Sequence, residues 1–308
     1  MEGGGGIGDV EEVRFGPAIA LVAPARGRYP DGRSLLVRGR SETVLVDPSL
    51  GVRPQGDVLR GEVDWCLLSH GHEDHVAALD LFADRPVRLH EADAPALASL
   101  DAFMALYGFP PDVEGPWRRA VVERFHFAPR PDAQPLRDGA RFDLGGRSIT
   151  AVHTPGHTRG HCCLLVEGAG EPPLLYLGDI DLSSFGPYYG DAWSSLDDFE
   201  RSLDAVRRID ARWYATFHHV GVVERAEFLE RLERFARVIA TRDERLLAFL
   251  AQPRTLDEIV AHRFVYRPGD AVPFADAVER RSMGQHLARA LADGRAREVE
   301  PGRFARRD

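Results

Sequence analysis

Ser69-His70-Gly71-His72-Glu73-Asp74-His75 follows directly on the apolar run Trp65-Cys66-Leu67-Leu68. Three imidazoles and the Asp74 carboxylate thus fall within six residues, at the end of an expected buried strand. Two histidines one residue apart on an extended turn can point the same way and grip one cation. Asp74 and His75 are expected to open a helix through Val76-Ala77-Ala78-Leu79 and to grip a second cation. Neutral imidazole with carboxylate suits zinc, and also manganese or iron. A loop enriched in histidine by chance would lack matching partners further along the chain, and this chain has them.

Length and composition set the frame. A chain of 308 residues suits one large and one small domain, expected at 13–240 and 241–308. A hydrophobic content of 44% is that of an ordinary globular protein. No apolar run approaches the ~20 residues of a membrane span. Residues 1–12 are glycine-rich and acidic without an apolar leader core, which points to a loose start and a cytoplasmic protein. Cys66, Cys162 and Cys163 lie in apolar runs and read as buried free thiols. The net charge of -9 argues against a dedicated nucleic-acid binder. The charge is uneven, however. Residues 1–220 hold 22 arginines against 33 carboxylates, and residues 221–308 hold 17 against 15, so the second segment is mildly basic.

Ile19-Ala20-Leu21-Val22, Ser34-Leu35-Leu36-Val37 and Thr43-Val44-Leu45-Val46 read as strands, with a Pro/Gly/Arg loop over 24–33 that carries Tyr29. The third strand ends in Asp47, either a turn cap or an acceptor that orients a ligating histidine. Helices are expected over 76–82 and 91–100, with Val87-Arg88-Leu89-His90 as a strand between them. His90 reads as a cap or surface residue. Residues 101–135 interleave aromatics with Gly and Pro, giving one or two short helices that form a lid or pack their own small core. A hairpin over Gly145-Gly146 leads to His153-Thr154-Pro155-Gly156-His157-Thr158-Arg159-Gly160-His161, where Pro and Gly forbid a regular helix. Strands over 162–166 and 174–177 follow, the second ending in Gly178-Asp179. The strand Arg212-Trp213-Tyr214-Ala215-Thr216-Phe217 delivers His218-His219.

These motifs together resemble the metallo-β-lactamase fold superfamily, in particular its hydrolase branch related to glyoxalase II, from about residue 15 to residue 240. The resemblance implies a four-layer αβ/βα sandwich. It implies His70, His72, Asp74, His75, His157, Asp179 and His218 as ligands of two divalent metal ions, most simply zinc, with iron or manganese as options. His219 is the alternative last ligand. Asp179 would bridge the metals, and Asp47, His153 and His161 would support from behind. Tyr188 and Tyr189, on the loop after Asp179, are candidate substrate contacts or simple packing residues.

Such a site would activate a shared water for attack on a carbonyl or phosphoryl centre, with Asp74 both ligand and proton carrier. The expected activity is hydrolysis of a small-molecule ester, thioester or lactone. The alternatives are a nuclease or phosphodiesterase, an oxidoreductase using one iron like the persulfide dioxygenases, and a metal-bound module without turnover. Amphipathic helices are expected over 195–209 and 223–250. Beyond Pro253, Thr255 caps a short helix with Glu258 at the capping-box position, 275–292 is a helix, and 296–304 reads as a two-stranded wing. That order resembles a winged-helix module. Its mixed charge predicts weak duplex binding and packing on the catalytic domain or on the second subunit of a homodimer.

Overall fold

Alternate residues of a strand face opposite ways, and in this protein both faces of the central strands are buried. The computed structural model describes residues 10–23 and 25–307, so the glycine-rich start through Asp9 lies outside the described residues. The first sheet runs in sequence order: β1 (Glu11–Phe15), β2 (Ala18–Val22), β3 (Ser34–Arg38), β4 (Thr43–Val46), β5 (Trp65–Leu67), β6 (Val87–His90) and β7 (Gln134–Leu136). Its first four strands are antiparallel and the rest parallel. The second sheet holds β8 (Arg141–Asp143), β9 (Arg147–His153), β10 (Cys162–Gly168), β11 (Glu171–Tyr176), β12 (Trp213–Ala215) and β13 (Val222–Glu224), again in sequence order. Within it only β11 and β12 are parallel.

Strand parity then builds the layers. Val44, Val46, Trp65 and Leu67 meet Ile149, Ala151, Leu164 and Val166 between the sheets. Leu45 and Cys66 face the other way, onto Leu59 of α1 (Gly56–Glu62) and Phe103 and Leu106 of α2 (Leu100–Tyr107), with Val121 of α3 (Pro111–Glu123) in the same cluster. On the far side, Cys163, Leu175 and Tyr214 pack on Phe199 and Leu203 of α4 (Leu196–Arg207) and on Phe228 and Leu232 of α5 (Arg225–Phe249). The result is helix, sheet, sheet, helix. Each fully buried Leu or Phe contributes about 1.5–3 kcal/mol to holding the layers together.

The end of α5 enters a separate apolar cluster. Leu246 and Leu250 meet Ile259 of α6 (Leu256–His262) and Met283 and Leu287 of α7 (Ala275–Ala292). A small sheet of β14 (Arg254–Thr255), β15 (Ala296–Glu300) and β16 (Arg303–Arg306) completes it, with β16 central. Thr255 and Glu258 form the capping box read from the sequence. This segment is docked on the rest. Arg281 Nη1 donates to Tyr107 O (2.6 Å), Gln285 Nε2 to Tyr189 O (3.0 Å), and Arg289 Nη2 to Asp197 and Glu200 (2.6 Å each).

Two helix expectations fail near the histidine loop. Asp74 and His75 open no helix, and in 76–82 only Leu79–Phe82 forms a short 3-10 turn. The Ala78 N–H donates instead to Pro48 O at 2.8 Å, tying the loop to the end of β4. Residues 91–100 form a 3-10 turn at Ala94–Ala98, and α2 starts after Ser99, whose Oγ accepts from Ala102 N at 3.1 Å. Asp93, expected inside that helix, is buried with its carboxylate aimed at two other loops. Residues 223–250 hold one continuous helix, α5, after the short strand β13.

Candidate metal centre

Parallel neighbours end at the same rim. β4 and β5 run in register through Val46 and Leu67, so Asp47 and the Ser69–His75 loop emerge side by side. β11 and β12 run in register through Tyr176 and Ala215, so Asp179 and His218 do likewise. The turn between β9 and β10 brings His157 to the same rim, and Cys162 N donates across to Ser69 O at 2.8 Å. Gly178 allows the approach of Asp179. At its φ of +52°, an added Cβ would lie 2.6 Å from His161 Nε2.

Two groups of donors result, all buried except the half-buried Asp179: His70, His72, His157 and Asp179, and Asp74, His75 and His218. Within the first, His70 Nε2 lies 3.0 Å and His157 Nε2 2.8 Å from His72 Nδ1. Asp179 joins the groups, with Oδ2 3.2 Å from His157 Nε2 and Oδ1 3.0 Å from His75 Nε2. In the second, His218 Nε2 lies 2.8 Å and His75 Nε2 3.9 Å from the Asp74 carboxylate.

The outward nitrogens decide what this cluster requires. His157 Nδ1 donates to Tyr188 O at 3.0 Å, His218 Nδ1 to Asp31 O at 3.1 Å, and His75 Nδ1 to Asp47 Oδ2 at 2.8 Å. His72 Nε2 sits 3.0 Å from Asp191 Oδ2. Ser69 Oγ gives its proton to Asp47 Oδ2 (2.6 Å), so it accepts from His70 Nδ1 at 3.0 Å. For His70, His75, His157 and His218 these partners assign the N–H of the neutral ring to the outer nitrogen, while His72 Nε2 faces Asp191 without a formed hydrogen bond. The inner nitrogens are then lone pairs facing one another and facing carboxylate oxygens. Buried acceptors without donors are costly. A cation in each group resolves the conflict. Ligands about 2.0–2.1 Å from a tetrahedral zinc stand about 3.3 Å apart, close to the spacings seen here. The donor chemistry therefore fits divalent metal, and the acceptors behind each ring are those that orient metal-bound histidines.

Charge follows the same geometry. Burial pushes His70 well down, helped by the neighbouring imidazoles. Burial also opposes charge on His72, but Asp191 outweighs it and lifts the ring to about 9. His218 is lifted to about 9 against burial by the Asp74 hydrogen bond. His75 rises well above the usual range, burial being overcome by Asp179 and Asp47. Asp179 falls well below its range, burial being overcome by His75 and His157. Without metal, protons on imidazoles balance the carboxylates. A metal must displace them.

The structure distinguishes the sequence candidates. His218 is buried in the cluster, whereas His219 is exposed, with Nε2 3.9 Å from Asp181 Oδ2. Asp47 holds His75 and also accepts from Ser69 N and Tyr176 OH. His153 takes no place behind a ligand. Its ring stacks on His90 (3.9 Å, 7°) and its Nε2 meets Arg159 O. His161 is the one that supports the site. Its Nε2 accepts from Asp179 N at 3.2 Å, and burial holds the ring neutral with its pKa down to about 3. Tyr188 lines the cleft above the cluster and bonds Asp191. Tyr189 is no cleft residue. It is fully buried and points away, to His286 and Arg242.

Three supports escaped the sequence reading. Asp191 stands behind His72. Asp93 accepts from Gly71 N (3.1 Å), Thr158 Oγ1 (2.6 Å) and Gly160 N (2.7 Å), tying the two histidine loops together. Glu73 accepts from Tyr107 OH (2.6 Å) and Tyr29 OH (3.0 Å), and burial with Asp74 nearby lifts its carboxyl to about 7. The acid closing the aromatic loop 181–191 was the one available signal for Asp191. The cluster forms the floor of a cleft of about 530 Å3 whose walls include Tyr107, Phe109 and Trp117.

Residues 30–219 match the family described as the metallo-beta-lactamase superfamily. The chain belongs to this superfamily. A superfamily protein of known structure from Thermus thermophilus is 26% identical, with a TM-score of 0.67 over 95% of this chain and 98% of that one. An uncharacterized protein of Mycobacterium leprae is 32% identical over 151 residues, 46% of this chain and 63% of that protein. This chain thus spans a little under two thirds of the first mycobacterial relatives it matches. The human acyl-coenzyme A thioesterase MBLAC2 is 31% identical over 56% of this chain and 67% of that protein. A hydroxyacylglutathione hydrolase of Acidiphilium cryptum is 28% identical over 80% of this chain and 89% of that enzyme. Superfamily members are mostly metal-dependent hydrolases, and this chain carries the buried His/Asp groups that such chemistry needs.

Proposed function

We propose that this protein is a dinuclear metal-dependent hydrolase acting on a small ester, thioester or lactone. The observation that carries the reading is the pair of donor groups sharing Asp179, with their lone pairs converging at the floor of a cleft. His70, His72 and His157 would hold one cation, Asp74, His75 and His218 the other, and Asp179 both. Bound there, two divalent ions, most simply zinc, would bring a water's pKa towards neutrality and polarise the substrate carbonyl. Asp74 lines the cleft and is placed to take the water's proton and pass it to the leaving group. Tyr188 O and Asp191 hold His157 and His72 in orientation throughout. The thioesterase and hydroxyacylglutathione hydrolase relatives support acyl transfer to water.

Residues 241–308 we read as a winged-helix-like unit that serves the cleft rather than nucleic acid. Arg281 and Arg289, on the helix that would enter a groove, are committed to Tyr107 O, Asp197 and Glu200, and Arg280 pairs with Asp257. A nuclease also needs cations along its cleft, and no arginine lines it among the described residues. The one-iron oxygenase would use one donor group and leave the other facing itself. Three buried, unbridged thiols fit a reducing, cytoplasmic setting. Among the described residues no helix is long and apolar enough to cross a membrane.

The test is a panel of neutral thioesters, lactones and short RNAs assayed with zinc-loaded and chelator-stripped protein. Zinc-dependent turnover of a carbonyl substrate is expected. RNA cleavage with no ester turnover would replace the reading.

A further inference from the structure

The cleft's walls are as specific as its floor. Phe274 stacks on Phe109 (5.4 Å, 11°) and meets Trp117 edge-on (5.3 Å, 66°). Phe185 and Tyr266 pair at 5.7 Å. Phe274 and Tyr266 come from residues beyond 250, so the C-terminal unit supplies part of the wall. The chain has 39 arginines, yet none lines the cleft among the described residues. The histidines there are three of the proposed ligands together with His219. Glu73, Asp181 and Asp191 add carboxylates beyond those in the donor groups. The neighbouring guanidinium groups lie behind Phe185, where Arg242 stands 5.7 Å from the ring, and in the adjoining pocket with Arg245 and Arg267, rather than in the cleft lining. An anionic substituent held within the cleft would therefore meet aromatic faces and carboxylates.

We infer that the substrate's portion remote from the reacting carbonyl is apolar, best an aryl group, carries no anionic substituent, and is selected by Phe274. This rests on the hydrolase reading only in placing the carbonyl at the floor. A ring laid against the cleft side of the packed Phe109, Trp117 and Phe274 cluster gains offset or edge contacts that a short alkyl group cannot make. Glutathione-like carboxylates or a coenzyme phosphate would have to stay outside the cleft.

Two measurements on the zinc-loaded protein separate the claims. The first compares kcat/KM for thioesters of N-acetylcysteamine bearing 3-phenylpropionyl, butyryl or succinyl groups. At least tenfold preference for phenylpropionyl over succinyl is expected, with butyryl between. The second is calorimetric binding of 4-phenyl-2-butanone and 2-butanone, neutral ketones that cannot be hydrolysed. The phenyl ketone should bind at least fivefold tighter in the wild type. Phe274→Ala should erase most of that advantage, and Phe274→Leu should keep part of it with an unchanged circular dichroism spectrum. Selective, Phe274-dependent ketone binding without thioester turnover would sink the hydrolase reading and leave the cleft assignment standing. Turnover in which succinyl equals or exceeds phenylpropionyl, or ketone binding indifferent to the ring or to Phe274, would overturn the cleft assignment and spare the hydrolase.

Discussion

Two buried histidine–carboxylate networks lie close together in this molecule, and they are wired differently. In the C-terminal network Arg242 Nη1 donates to Tyr189 OH (2.8 Å), Tyr189 OH to His286 Nε2 (2.7 Å), and His286 Nδ1 to Asp243 Oδ1 (2.7 Å). Each donor named along that chain meets an acceptor, while Arg242 Nε is buried without a partner. At the rim of the sandwich most outward nitrogens have acceptors, but on neutral rings the inward atoms are acceptors facing acceptors at about 3 Å. Protons relieve that conflict in the metal-free chain, and cations would relieve it in their place. Clusters of the same residue types can thus be complete or incomplete, and the direction of each hydrogen bond tells which. The first network is closed by its own hydrogen bonds apart from Arg242 Nε. The second is closed only by added protons, which cations would displace.

The largest effect is expected at Asp74. Asp74→Asn keeps the shape but removes the charge and the proton-carrying oxygen. Turnover should fall by roughly 10²–10⁴-fold at neutral pH with a smaller change in KM. Activity near wild type with full metal content would separate Asp74 from the chemistry and weaken the contrast between the networks.

Next come the two histidines of the β9–β10 turn. His157→Ala removes a donor from the first group and should lower metal content by up to about one equivalent per chain. His153→Ala only breaks a ring stack outside the cluster and should leave the metal in place. Elemental analysis of both variants checks this, and the reverse pattern would show the wrong histidine at the site.

A smaller effect is expected at Tyr189. Tyr189→Phe leaves His286 Nε2 without its donor, which should destabilise the fold by about 1–3 kcal/mol in denaturant titrations. Metal content should hold. Loss of metal would mean that the C-terminal network sets the loop carrying Tyr188 O and Asp191, so that the two networks act as one.

Much of the candidate site was legible because its proposed ligands are chemically rare residues at strand tips. Leu67-Leu68 before His70, and Leu177-Gly178 before Asp179, are apolar runs ending in a donor, a pattern visible without coordinates. The supports were less legible. Asp93 and Asp191 look like ordinary loop acids, and partners such as Thr158 and His72 lie far from them in sequence. His153 ends β9 and His161 precedes β10, and nothing in the sequence tells that the His153 ring turns outward to stack on His90. The helix expected from His75 failed because a loop presenting several rings inward gives its N–H groups to neighbouring loops, here Ala78 to Pro48. Residues 101–135 form no small core of their own. Phe103 and Leu106 join the main core, while Phe109 and Trp117 wall the cleft.

On this account two cations take the place of the protons that close the rim network in the metal-free chain. Calorimetric titration of chelator-stripped protein with zinc tests it directly. About two equivalents per chain should bind with release of protons, and affinity should fall with acid, because His72 and His218 hold protons up to about 9 in the metal-free chain. Binding of one equivalent or none, or binding without proton release, would contradict it.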